Sequence, residues 1–134
     1  MRPIALLALP LLVFAPPLLA KSDVAAGAAL YSRYCATCHG ATGAGDGPTA
    51  QIVLLPPPDL TGLAAENGGS FPFRQVILRI DGREALIAHG SPMPIYGAFF
   101  EGDDRQRIET ADGPVDVAPP VLAIARYLAT LQTE

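Results

Sequence analysis

The seven residues from Tyr34 to Gly40, YCATCHG, hold both cysteines of this 134-residue chain and one of its two histidines, His39. Two thiols three positions apart lie on the same side of one helical turn, because a turn takes about 3.6 residues. A chain this poor in Cys and His has placed three of the four within five positions, Cys35, Cys38 and His39. The rest of the fold has to serve whatever those three side chains hold.

Three chemistries use Cys-x-x-Cys-His. The first is covalent haem attachment, for which the spacing is a known signature. Cys35 and Cys38 would form thioethers to the two vinyl groups along one porphyrin edge. His39 would follow as axial ligand, its second ring nitrogen donating to a backbone carbonyl. The second is thiol–disulfide exchange, which normally sits at a strand-to-helix junction that the pattern here does not provide. The third is zinc. Cys35, Cys38, His39 and His89 make four donors, but a histidine abutting the second cysteine is poorly placed to close a tetrahedron. The spacing favours haem.

The first twenty residues read as a leader. Arg2 is followed by the uncharged run Ile4 to Ala20 and then by the polar Lys-Ser-Asp, the order of a secretory signal peptide. The competing reading, a membrane anchor, suffers from Pro10, Pro16 and Pro17, which break or kink a free helix. The division is therefore 1–20 signal peptide and 21–134 domain, with no stable membrane span after cleavage. Cleavage removes one of nine basic residues and none of the 13 acidic ones, leaving a net charge of −5. That argues against a nucleic-acid binder, which wants a basic surface. It suits an exported protein in an oxidising compartment. The domain keeps 10 of the 14 prolines and all 13 glycines, which predicts few helices joined by long loops. So loop-rich a chain has little room for a large apolar core and benefits from a bound group at its centre.

Along the chain, residues 22–38 read as a first helix, capped by Ser22 or Asp23. Gly27 inside it costs about 1 kcal/mol against Ala, acceptable where another backbone approaches closely. Residues 40–48 carry four glycines and a proline and form a loop. They lack the Lys-Ser/Thr of a phosphate-binding loop. Residues 49–55 make a short turn, and PPPDLTG (56–62) is an extended, stiff segment. A helix begins near Pro72 and carries Val76, Ile77 and Ile80, with Arg74, Arg79 and Arg83 as a positive row or simply a solvated face. Residues 101–116 read as acidic loop plus a short helix. Pro119 or Pro120 opens a last helix with an apolar stripe of Val121, Ile124, Ala125, Leu128 and Leu131.

A haem used for electron transfer commonly takes a Met thioether as its second axial ligand. Met1 leaves with the leader, so Met93, between Pro92 and Pro94, is the domain's one methionine. A lone Met is more often packing, but its uniqueness and proline neighbours favour the ligand reading. His89 is the competitor, preferred as a surface or propionate-contacting residue.

The sequence resembles the class I mono-haem c-type cytochromes of bacteria. The resemblance rests on Gly27 and Tyr31 ahead of CATCHG, on GATGAGDG and PPPDLTG, on MPIYG, and on the closing IARYLATL. It implies an all-α cytochrome c fold of three to five short helices with long loops around one covalent haem c. It implies that Gly27 and Tyr31 meet the last helix near Tyr127 and that the Pro58 carbonyl accepts from His39. It further implies that Leu60 packs on the haem face, that Tyr96 supplies the aromatic three residues after Met93, and that His39 and Met93 are the iron ligands. The expected function is single-electron transfer between periplasmic redox proteins, without catalysis by the chain itself. Three alternatives stand beside it: a haem-bearing subunit of a larger dehydrogenase or oxidase, a five-coordinate haem enzyme acting on peroxide or a small gas, and a thiol oxidoreductase.

Overall fold

The computed structural model describes residues 18–83, 93–100 and 104–133. Most of the expected leader, together with His89 and Pro92, lies outside the described residues. In chain order the elements are α1 (Leu18–Tyr34), α2 (Ala36–His39), α3 (Leu63–Glu66), α4 (Phe73–Asp81), β1 (Gln106–Ile108), β2 (Val115–Val117) and α5 (Pro119–Thr130). Among the described residues no helix is long and apolar enough to cross a membrane.

The frame is the crossing of α1 and α5, the most extensive contact between any two elements. Gly27 makes it possible. A Cβ at that position would fall 2.0 Å from the carbonyl oxygen of Ala123 and 2.9 Å from Tyr127 Cβ, so only a residue without a side chain lets the backbones approach. One turn on, the Tyr31 and Tyr127 rings meet at 5.3 Å between centroids, inclined at 54°. An ion pair between Arg126 and Asp23 ties the same two helices at the surface. The contact near Tyr127 is the one the resemblance implies.

The helix ends follow local chemistry. Pro119 and Pro120 occupy the first turn of α5 after the extended Ala118, where a missing N–H costs nothing. Along α5, Val121, Ile124, Ala125 and Leu128 are buried. α4 runs from Pro72, whose carbonyl takes the Val76 N–H, to Gly82. There the N–H groups of Gly82 and Arg83 return to Arg79 and Leu78, the pairing of a Schellman stop. Val76, Ile77 and Ile80 face inward against α5. The first helix differs from expectation. It begins at Leu18 rather than at a Ser22 or Asp23 cap, and it is interrupted at Cys35.

The described part of 101–116, from residue 104 on, corrects the expectation of loop plus short helix. Gln106–Ile108 and Val115–Val117 pair antiparallel, with Arg107 opposite Asp116. The reason is visible in Val115-Asp116-Val117, where buried, exposed and buried residues alternate with the period of a strand. The turn closes through paired hydrogen bonds between Thr110 and Gly113. The core is small and asymmetric. Tyr31, Ile77, Val117, Val121 and Ile124 are its largest fully buried side chains, and several of its members line a cavity.

Candidate functional site

Cys35 ends the run of α1, with its N–H bonded to the Tyr31 carbonyl at 2.8 Å, and α2 follows at once. Cys35, Cys38 and His39 all line one cavity of 480 Å³. Opposite the motif in sequence, Val53, Leu55 and the three prolines 56–58 contribute to its wall, as do Leu60, Val76, Ile80, Ile124 and Leu128. The lining is overwhelmingly apolar, as expected for a site that buries a large flat group and keeps water from it.

The glycine-rich loop clamps the motif through its main chain. Gly45, Gly47 and Thr49 donate their N–H groups in turn to the carbonyls of His39, Cys38 and Thr37, at 2.9, 3.1 and 3.1 Å. The two strands of chain therefore run antiparallel and leave the motif's carbonyls satisfied. Gly45 has a positive φ of 78°, and a Cβ there would lie 2.5 Å from the Pro57 carbonyl oxygen. Both facts require glycine at this point.

His39 Nδ1 donates to the Pro58 carbonyl at 3.4 Å. With that proton placed, Nε2 is the nitrogen left with a lone pair. Burial holds the imidazole below its usual pKa, and the bond to Pro58 partly offsets this, so the ring is a neutral donor near pH 7. The Cys35 thiol behaves oppositely to a redox nucleophile. Burial first, and then the neighbouring Cys38, push it up to about 11, whereas exchange cysteines need a depressed value. Both cysteines are free thiols. Among the described residues no cluster of three or more His, Cys, Asp or Glu is arranged to hold a bare metal ion.

Met93 and Tyr96 border the same cavity as His39. Tyr96 is fixed at both ends. Its N–H donates to the Ile80 carbonyl at 3.0 Å and its hydroxyl to the Tyr34 carbonyl at 2.8 Å. It stacks on Phe100 at 5.8 Å. Tyr34, Phe99 and Phe100 complete an aromatic group beside it. The segment after Met93 is thus anchored to α4 and to the end of α1. The residues singled out in the sequence, Cys35, Cys38, His39, Pro58, Leu60, Met93 and Tyr96, are accordingly brought to one cavity. The arginine row is not a single face. Arg79 borders the cavity, while Arg83 joins Arg105 on the buried Asp81 carboxylate, the latter pair at 2.7 Å.

Two contributors escape a reading of the sequence. Gln132 donates to the carbonyls of Leu60 and Leu128 and accepts from the Ala64 N–H at 2.8 Å, which fastens the PPPDLTG segment to the end of α5. Nothing in its sequence context signals this. Thr49 lies 3.2 Å from Cys38 Sγ. Its signal is slight: it is the one hydroxyl in the apolar run 47–58.

The residues present fit a haem. Two thiols and an imidazole with a free Nε2 stand on one wall of an apolar cavity, and a thioether borders the same space. Comparison with known proteins agrees. A family model, cytochrome c, matches residues 24–110, from the start of the glycine crossing to the turn of the hairpin. No curated protein and no solved structure gives a match. The matched stretch is well over half of the chain and contains the whole cysteine–histidine motif, its clamp and the Met93 segment. The chain belongs to the cytochrome c family, whose members transfer electrons through a haem.

Proposed function

We propose that this protein is a periplasmic single-electron carrier with one haem c, bound through Cys35 and Cys38 and ligated by His39 and Met93. The observation that carries the reading is the sharing of one apolar cavity by those four side chains. When bound, the haem supplies a one-electron Fe(III)/Fe(II) couple. The chain does the rest. Cys35 and Cys38 would retain the group by covalent bonds. The Pro58 carbonyl holds the His39 ring and its tautomer, which keeps Nε2 available to iron and strengthens it as a donor. As the second ligand, the thioether of Met93 would favour the reduced state and raise the potential. The apolar walls exclude water and act in the same direction.

Export follows from the leader reading of residues 1–20, and the partners are then periplasmic redox proteins that donate to and accept from the same haem. The raised Cys35 thiol weighs against thiol exchange. A second reading has its own support. Ile52 and Leu54, beside the cavity-lining Val53 and Leu55, are 82% and 97% exposed. That apolar stretch suits a haem-bearing subunit of a larger dehydrogenase or oxidase. Co-purification of a large partner with the native protein distinguishes it from a free carrier.

The test is the spectrum and potential of protein expressed into the periplasm, wild type beside Met93→Ala. The wild type is expected to be low-spin with a thioether-to-iron charge-transfer band. The variant is expected to lose the band and to have a lower potential. An unchanged spectrum removes Met93 from the iron, and a high-spin wild type favours an enzyme acting on peroxide or a small gas.

A further inference from the structure

Thr49 makes a contact whose chemical sense depends on the state of Cys38. Its Oγ1 lies 2.9 Å from the Thr37 carbonyl oxygen and 3.2 Å from Cys38 Sγ. The same carbonyl already accepts the Thr49 backbone N–H at 3.1 Å. A hydroxyl has one proton to give and two lone pairs to receive with. Against a thiol, the sulfur proton can be donated to Oγ1 while the hydroxyl donates to Thr37. Against a thioether, the sulfur has no proton and only accepts. The Thr49 hydroxyl is then the one group that can donate at this contact, and when its proton turns from Thr37 to the sulfur the backbone N–H still satisfies the Thr37 carbonyl. Among the described residues, no corresponding donor stands against Cys35 Sγ. The two sulfurs are therefore inequivalent.

Main-chain pairing fixes the position of Thr49. Gly45, Gly47 and Thr49 form the clamp on His39, Cys38 and Thr37, so exchanging the Thr49 side chain leaves the loop held.

We infer that Thr49 is a positioning residue for the haem. It orients the Cys38 sulfur on the cavity wall and, once that sulfur is a thioether, hydrogen-bonds it and shifts the potential upward. The inference rests on the reading of Cys38 as a haem thioether. A donor on the sulfur draws electron density away from the ring it substitutes, which favours the reduced state, as hydrogen bonding around a redox centre generally does.

The experiment compares holoprotein of the wild type, Thr49→Val, Thr49→Ala and Thr49→Ser by redox titration, with the mass of the covalent adduct measured on each. In the valine and alanine variants the Fe(II)/Fe(III) ratio at a fixed ambient potential should fall roughly twofold to threefold, a fraction of what one neutral hydrogen bond contributes. In the serine variant it should stay at the wild-type value. A valine variant with the wild-type potential overturns the inference, as does a serine variant displaced as far as valine. If valine and alanine fail to acquire haem while serine acquires it, the hydroxyl is needed at attachment and the positioning role stands. If serine also fails, a hydroxyl is not what the site requires. A wild type without covalent haem defeats the haem reading itself, and the mass separates that outcome from the others.

Discussion

Tyr31 is 1% exposed, yet its hydroxyl is satisfied, donating to the Gly40 carbonyl at 2.7 Å. One side chain thus closes the α1–α5 crossing and ties it to the residue that follows His39. Burial, the larger cause, and a smaller contribution from the Cys35 sulfur when it is ionised push its pKa up to about 12; burial alone acts in the same direction once that sulfur is a thioether. The folded state therefore keeps the phenol protonated after the unfolded chain, near pH 10, has released it. Between about pH 10 and 12 the unfolded state binds fewer protons, so stability falls as pH rises through that window. Urea midpoints of the holoprotein at pH 9 and pH 11 should show this loss in the wild type. In Tyr31→Phe the tyrosine's share of the slope should vanish, at the cost of about 1 kcal/mol at neutral pH for the lost hydrogen bond. At this scale, legibility in the sequence depends on rarity. Cys35, Cys38, His39 and Met93 stand out because the chain has almost no other residues of their kinds. Thr49 and Gln132 do not, because a hydroxyl or an amide acquires its role only from what the fold brings within 3 Å or so of it.

The elements were legible in proportion to their length and periodicity. α5 has an apolar stripe and a proline start, and both its position and its buried face follow from them. The hairpin does not announce itself. Its strands are three residues each, too short for alternation to stand clear of chance, and its acidic residues point to solvent. What marks it is Asp112-Gly113-Pro114 followed by Val-Asp-Val, a turn signal and then a period of two. The glycine in α1 was legible as an anomaly, and its partner in α5 is the explanation. On an exposed helix, Gly→Ala would stabilise by up to about 1 kcal/mol. Here the added carbon meets the Ala123 carbonyl at 2.0 Å, a clash that requires the two helices to separate. Gly27→Ala should instead destabilise the holoprotein by about 2–3 kcal/mol, read as a lower denaturation midpoint at an unchanged slope. A gain in stability would mean that the helices do not cross there.

For the molecule as a whole, the cavity is part of the core rather than a gap beside it. Tyr31, Val76, Ile80, Ile124 and Leu128 belong to the buried core and also line the cavity. At about 24 cal/mol per Å³, 480 Å³ corresponds to on the order of 10 kcal/mol if left unfilled, an upper bound because the cavity has an open side. That is comparable to the whole net stability of a domain of this size. A chain unable to attach haem, Cys35→Ser with Cys38→Ser, should therefore lose cooperative unfolding and near-ultraviolet dichroism while keeping part of its helix signal. Cooperative unfolding of that variant at the wild-type midpoint would show that the protein core suffices alone.

The sequence by itself pointed to the chemistry, through the Cys35, Cys38 and His39 cluster, to the proline starts of α4 and α5, and to a glycine inside α1 that needed a close neighbour. Those are local properties, set by residue type, spacing and backbone propensity. Only the tertiary structure decided that α1 begins at Leu18, that Gln132 fastens the PPPDLTG segment to α5, that Thr49 stands against Cys38, and that residues 106–108 and 115–117 pair as strands. Hydrogen bonds between residues far apart in the chain leave no periodic trace in it, because their geometry exists only once the helices have packed.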